Sequence, residues 1–282
     1  MILVFGQTGQ VATELARLNP DATFLGQEMA DLTDPGACAR AIRDRRPDVV
    51  INVAAWTAVD AAEENEAEAE VVNGEAPAVM AQAAAGLGIP FLHVSTDYVF
   101  DGSGQAPWTE DAPAAPINAY GRTKLSGENG VRAAGGEYAI LRTSWVFSAH
   151  GANFVKTMLR LSETRDALSI VDDQVGGPTH AGDIAAALLT MAGALRQGRG
   201  ESGIYHFAGM PETSWARFAR ETFRKAGRDV AVTGIPTAEY PTPAPRPLNS
   251  RLDCSKIERT FGISPPDWRT GLDRTLTELR DA

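Results

Sequence analysis

The chain has 282 residues, 44% of them hydrophobic and 22% charged, the balance of a folded globular protein rather than a disordered or fibrous one. Its 36 acidic residues against 26 basic ones give a net charge of −10, which repels phosphate backbones and excludes a nonspecific nucleic-acid binder. The two cysteines, Cys38 and Cys254, can build no disulfide framework and stand in no metal-ligand spacing, so a reducing compartment is expected.

Ile2-Leu3-Val4-Phe5 is apolar without alternation and reads as a short buried strand. With apolar periodicity starting there, no charged leader is expected ahead of it, and no apolar run approaches the ~20 residues of a membrane span. A cytoplasmic protein is therefore expected. Gly6-Gln7-Thr8-Gly9 follows, then a helical pattern over Gln10 to Leu18, and a second strand at Ala22 to Leu25. A helix from about Asp34 to Arg46 stops before Pro47, because the residue preceding a proline avoids helical geometry. Asp48 to Val53 reads as a third buried strand and the alanine- and glutamate-rich Ala61 to Gly88 as helix.

Pro90 to Ser95 makes a fourth strand and Tyr138 to Arg142 a fifth, with a helix from about Asn118 to Ala134 between them. Strands alternating with helices at this spacing predict a doubly wound parallel sheet with helices on both faces. Helices are expected again at Asn153 to Glu163, Ala181 to Arg196, Ser214 to Ala226 and Trp268 to Leu279. Pro236 to Pro247 holds five prolines in twelve residues and cannot be regular structure. The expected division is a dinucleotide-binding domain over residues 1–148, receiving a strand and helix from about 168–208, and a smaller irregular lobe over 149–282.

Three motifs carry chemistry. Gly6-Gln7-Thr8-Gly9-Gln10-Val11-Ala12 joins a strand to a helix, where glycines let backbone N–H groups approach a pyrophosphate at the helix N-terminus. A structural turn would use the same residues. Tyr120 and Lys124 stand four apart and project from one helix face. A phenol is a poor acid at neutral pH until a neighbouring cation stabilises its phenolate, and Lys124 offers one. Ser95-Thr96-Asp97-Tyr98-Val99-Phe100 follows the fourth strand, at the end of a parallel sheet that faces ligands. Thr96 and Asp97 could equally be a turn or cap, and Phe100 reads as core.

Together these motifs resemble the extended short-chain dehydrogenase/reductases, and more narrowly the dTDP-4-dehydrorhamnose reductase family. Asn52 to Asp60, Arg142 to Phe147, Asn153 to Met158, Asp173 to Thr179 and Tyr240 to Ser250 extend the match beyond residue 250. The resemblance implies a Rossmann-like sheet, a substrate-binding C-terminal lobe, and reduction of a 4-keto dTDP-sugar with NADPH, with NADH also accepted. Tyr120 would give the proton to the C4 oxygen, Lys124 would lower its pKa, and Thr96 would hydrogen-bond near the reacting centre. Gly6, Gly9, Gln10 and Val11 would cradle the pyrophosphate, Asp31 and Leu32 would flank the adenine, and Ala55, Trp56, Thr57 and Val94 would line the cofactor. Thr96, Asp97, Tyr98, Trp145, Asn153 and Arg246 would meet the sugar nucleotide. By itself Trp145 is a strand-end aromatic and Asp31 a helix-preceding cap.

Two positions depart from the pattern. Gly26-Gln27 closes the second strand, where relatives read the adenosine ribose with Arg or Asp. Some members hold Mg2+ between glutamates at a homodimer contact; Glu14 and Glu278 match two of these, and the third falls at Gly182, beside Asp183. The other readings are a nucleotide-sugar epimerase or dehydratase and a non-catalytic NADP-binding regulatory subunit of the methionine adenosyltransferase type. Dehydratases place an Asp-Glu pair where this chain has Asp97-Tyr98, and a non-catalytic subunit has no need of Thr96, Tyr120 and Lys124 together.

Overall fold

The computed structural model describes residues 1–281. Four consecutive apolar residues bury both faces of β1 (Ile2–Phe5), which pairs in parallel with β2 (Thr23–Leu25) and β3 (Val49–Asn52). The intervening helices are α1 (Gln10–Leu18) and α2 (Pro35–Arg45). α2 begins on the Asp34 carboxylate, which accepts the Ala37 N–H at 2.9 Å, and carries Pro35 where its missing N–H is harmless.

The alanine- and glutamate-rich stretch is not one helix. It breaks at Asn65, whose side chain donates back to the Ala61 carbonyl at 2.9 Å, into α3 (Val59–Glu64) and α4 (Glu66–Glu70). A π-helical turn at Val71–Glu75 leads into α5 (Ala76–Leu87), which ends at a left-handed Gly88. β4 (Phe91–Thr96), a 3₁₀ turn at Asp97–Val99, α6 (Ala119–Ala133) and β5 (Tyr138–Thr143) follow, close to their expected bounds.

Beyond β5 come β6 (Val146–Phe147), α7 (Phe154–Leu161), β7 (Ala167–Val171), β8 (Val175–Gly176), β9 (Thr179–His180) and α8 (Ala181–Arg196). Then follow β10 (Gly203–His206), β11 (Thr213–Ser214), α9 (Trp215–Ala226), β12 (Ala231–Ile235) and β13 (Asn249–Ser250). α10 (Ser255–Phe261) and α11 (Trp268–Asp281) complete the described chain. The proline-rich stretch holds one 3₁₀ turn, Thr237–Glu239, and no strand or α-helix.

Six strands form one parallel sheet in the order β10-β5-β4-β3-β1-β2. α2, α5 and α6 cover the face carrying Leu3, Phe5, Val50, Phe91 and Ile140; α1 and α8 cover the face carrying Val4, Ile51, Leu92 and Leu141. The strand order reverses between β1 and β3, the topological point beyond whose carboxyl ends open parallel sheets bind their ligands. The other strands make three small sheets, β7 with β12, β6 with β9, and β8 between β11 and β13. α7, α9 and α11 gather around Phe147, Phe218, Trp268 and Leu272, a separate core. Among the described residues, no helix is long and apolar enough to cross a membrane.

Candidate active site

The glycine loop leaves β1 at the strand-order reversal. Gly6 has φ +117°, a conformation only glycine adopts freely, and a Cβ there would stand 3.0 Å from Val53 Cγ2. Gly9 caps α1 with extended backbone and no side-chain acceptor, so the N–H groups of Gln10 and Val11 have no partner within the helix. A Cβ on Gly9 would meet nothing within 4 Å, so the ground before the helix is open. This cradle fits a dinucleotide pyrophosphate. Gln10 also does something the sequence did not announce: its Oε1 accepts from Ser148 at 2.8 Å and Asn153 at 3.0 Å. It ties the loop to the second half of the chain.

Ala55, Trp56 and Thr57 follow β3 on the other side of the crevice. Asn73, fully buried in the π-helical turn, holds them: it accepts the Trp56 N–H at 2.8 Å and donates to the Trp56 carbonyl and to Thr123 Oγ1, both at 3.1 Å. Asn73 therefore joins the loop after β3 to the Tyr120 helix. An asparagine within a run of helix formers was the available signal, and it was missed. Asp31 is a turn former here, accepting from Thr33 N at 2.9 Å and Gln27 Nε2 at 3.1 Å, and Leu32 packs on the core of the sheet. Those bonds hold the Asp31 carboxyl below its ordinary range.

Thr96, Asp97, Tyr98, Tyr120 and Lys124 converge at the carboxyl end of β4. Thr96 accepts the Tyr98 N–H at 3.2 Å and donates to Asp97 at 3.1 Å. Asp97 is buried, and burial pushes its carboxyl up to about 7 against the opposing pull of the Ser250 and Thr96 hydroxyls. Asn118 caps α6 through the Gly121 N–H at 2.8 Å and so starts the helix that presents Tyr120. The Tyr98 and Tyr120 rings meet edge to face at 5.6 Å.

Burial raises the Tyr120 phenol to about 12, and the Thr96 hydroxyl works against that rise. Lys124 is fully enclosed: Nζ donates to the Val94 carbonyl at 2.7 Å and lies 3.2 Å from His93 Nε2. Burial lowers its own pKa to about 8, with Glu128 one turn on opposing. Lys124, expected to ease the phenol's ionisation, stands one turn on from Tyr120 along α6. Glu128 is itself locked by Arg142, at 2.8 and 2.6 Å, and by Ser95 at 2.6 Å.

The expected sugar-nucleotide residues divide. Trp145 has φ +48° and stacks on Trp215 with ring centroids 3.6 Å apart, beside Gly176, where a Cβ would press on the indole. Asn153 caps α7 through Lys156 N at 3.2 Å, and its Nδ2 serves Gln10, Ser148 and His150. Its polar atoms are occupied by this clamp. Arg246 pairs with Asp60 at 2.9 Å and with the Ala244 carbonyl at 3.0 Å, so its guanidinium is already partnered by a carboxylate.

The metal positions fit Mg2+ poorly. Glu14 and Glu278 lie 3.3 and 3.4 Å from His150 Nε2, and Arg17 bonds Glu278 at 2.9 Å. Gly182 offers no donor side chain, and Asp183 is held by Arg274 at 2.6 Å. Mg2+ demands about six oxygen ligands in octahedral array, and here an imidazole and a guanidinium stand among the carboxylates.

Residues 1–281 match the family model described as the RmlD substrate binding domain. The dTDP-4-dehydrorhamnose reductase of Sinorhizobium fredii is 46% identical, over 99% of this chain and 97% of its own length. That of Burkholderia thailandensis is 44% identical, over 99% and 98%. Among solved structures, the dTDP-4-dehydrorhamnose reductase of Clostridium acetobutylicum superposes with a TM-score of 0.93 at 38% identity, covering 99% of both chains. The Bacillus anthracis enzyme, solved in complex with NADP, gives 0.92 at 33% identity over 98% of both. The chain belongs to the RmlD family of dTDP-4-dehydrorhamnose reductases.

Proposed function

We propose that this chain catalyses NAD(P)H-dependent reduction of the C4 keto group of dTDP-4-dehydro-L-rhamnose to dTDP-L-rhamnose, a sugar donor for cell-surface polysaccharide, in the cytoplasm. The observation that carries the reading is the convergence of Thr96, Asp97, Tyr120 and Lys124 at the end of β4, across the crevice from the glycine loop and the N-terminus of α1.

Gly6, Gly9, Gln10 and Val11 hold the pyrophosphate, while Trp56 and its neighbours, fixed by Asn73, wall the crevice. When bound, the reduced nicotinamide supplies the hydride. Tyr120 donates its proton to the C4 oxygen, and Thr96 orients the phenol. A phenol near 12 keeps its proton at neutral pH but is a weak acid, and the Lys124 cation one turn on along α6 is the group that would favour its phenolate. Asp97 and Tyr98 border the sugar, Trp145 stacked on Trp215 forms a flat wall of the second half, and Arg246 takes the diphosphate in exchange for Asp60. Residues 1–148 with α8 and β10 form the cofactor half, and the remaining residues form the substrate half.

Neither Gly26 nor Gln27 offers a carboxylate to repel a 2′-phosphate or an arginine to bind it, and Gln27 is engaged with Asp31. NADPH is the cofactor, with NADH accepted. Incubating the protein with dTDP-4-dehydro-L-rhamnose and each cofactor, and identifying the product sugar, tests the reading. Product without a reduced C4 would return it to the epimerase or dehydratase class.

A further inference from the structure

Behind the catalytic face lies a buried chain of three side chains, Asn52, His93 and Lys124, of which the reductase reading uses only the last. Asn52 ends β3 and is the register partner of His93 in β4; all three are fully enclosed. The Asn52 Oδ1 accepts the Ala54 N–H at 3.1 Å, which decides how its amide is turned. Its Nδ2 therefore faces His93 Nδ1, 3.2 Å away. An amide nitrogen can only donate, so Nδ1 must accept and the neutral ring carries its proton on Nε2.

That Nε2–H points at Lys124 Nζ, 3.2 Å away. Only a neutral amine can accept there. An ammonium sets hydrogen against hydrogen. Moving the ring proton to Nδ1 relieves Nζ but opposes the Asn52 amide, and turning that amide opposes Ala54 N–H. Every arrangement with a charged lysine leaves one pair of donors facing each other; the neutral lysine leaves none.

We propose that His93, oriented by Asn52, is a positioning residue that sets the proton occupancy of Lys124 and with it the upper pH limit of reduction. The proposal rests on the assignment of Lys124 to the reacting face. Burial and the Lys124 charge hold the His93 ring well below its ordinary pKa, so it stays neutral, and Lys124 is lowered to about 8. Other charges near Lys124 are disposed elsewhere. On α6, Glu128 favours the ammonium but is engaged by Arg142 of β5, while Tyr120 lies one turn back. From the packed helices, Glu63 binds the Ala119 N–H, Glu66 binds Arg122, and Glu70 binds Ser126. Asp97, after β4, bonds Thr96.

Two readouts test this, and neither is moved by a merely structural role. With 15N-histidine incorporated, long-range 1H–15N spectra identify the His93 tautomer, its signal assigned by its loss in His93→Gln. The expected result is an Nε2–H ring whose shift steps near pH 8 and whose step disappears in Lys124→Met. An Nδ1–H ring, or a signal flat across that range, overturns the proposal. The second readout is the pH profile of kcat/KM for the sugar nucleotide. Asn52→Asp keeps the Ala54 bond but draws the ring proton to Nδ1, and His93→Gln offers a carbonyl to the ammonium. Each moves the basic limb upward by about one pH unit or more. A limb that stays in place in both overturns the proposal. If neither variant folds, the wild-type tautomer and the Lys124→Met step decide alone. Absence of wild-type turnover would instead remove the reductase reading, while the tautomer stays readable.

Discussion

Tyr120 illustrates how much a single side chain depends on what encloses it. Burial keeps the phenol protonated, and removing its oxygen removes the acid. Tyr120→Phe should lower kcat by about 10²–10⁴-fold with little change in cofactor affinity, read by steady-state turnover alongside NADPH titration. Near-normal turnover would take Tyr120 out of the chemistry. Asp97 gives a prediction of opposite character. Its carboxyl is raised to about 7 in the folded protein, whereas an unfolded Asp releases its proton near pH 4. Folding thus favours the protonated form, and the stability it lends is lost as pH rises from about 4 to 7. Asp97→Asn should raise Tm by several degrees at pH 8 and hardly at all at pH 4. Equal shifts at both pH values would show that Asp97 is not a strained buried acid.

Arg246 was singled out through the family resemblance of its proline-rich stretch, and its partner was not foreseen. Asp60 lies 186 positions earlier, and nothing local in either stretch announces the 2.9 Å pair. If the diphosphate replaces Asp60, Arg246→Ala should raise the sugar-nucleotide KM roughly 10–150-fold, through loss of a charge-assisted bond of about 1.5–3 kcal/mol. Asp60→Asn should lower the same KM, because the competitor is weakened. KM rising in both variants would mean that the pair only supports the proline-rich loop.

At the scale of elements, the strands and helices of the first half follow their sequence patterns because each pattern has one physical cause. Four-residue apolar runs need two covered faces, and Asp34, Asn118 and Asn153 each start a helix as a cap. What could not be read is the division of the stretch from 61 to 88. Composition favours helix throughout, while the π-helical turn is set by packing: a Cβ on Gly127 of α6 would strike the Asn73 carbonyl, so the two elements meet backbone to backbone. Asn73→Ala should leave the Trp56 N–H buried without its acceptor, at about 1–3 kcal/mol. The expected result is a lower Tm and a raised KM for NADPH in the same variant. A lower Tm with an unaltered KM would confine Asn73 to structure. β7 lies at the start of the span expected to lend a strand to the large sheet, but it pairs instead with β12, 64 residues on, and neither strand has the alternation of a half-buried one.

For the whole molecule, the first and second halves of the chain are joined at the glycine loop. Gln10 at the head of α1 is tied to Ser148 and Asn153, so the glycine loop and the start of α7 are held together. The parallel sheet and its ligand end were legible because strand–helix alternation and glycine spacing both report it. The second half was legible chiefly through family-specific stretches, since its small sheets lack periodicity. The most direct test of the account is one assay: purified protein, dTDP-4-dehydro-L-rhamnose, and NADPH or NADH, with cofactor oxidation followed by absorbance and the product sugar identified by NMR. The account predicts dTDP-L-rhamnose formed one-for-one with oxidised cofactor, and NADPH preferred by less than about 10³-fold, or ~4 kcal/mol. Oxidised cofactor without that sugar, or no turnover with either cofactor, would contradict it.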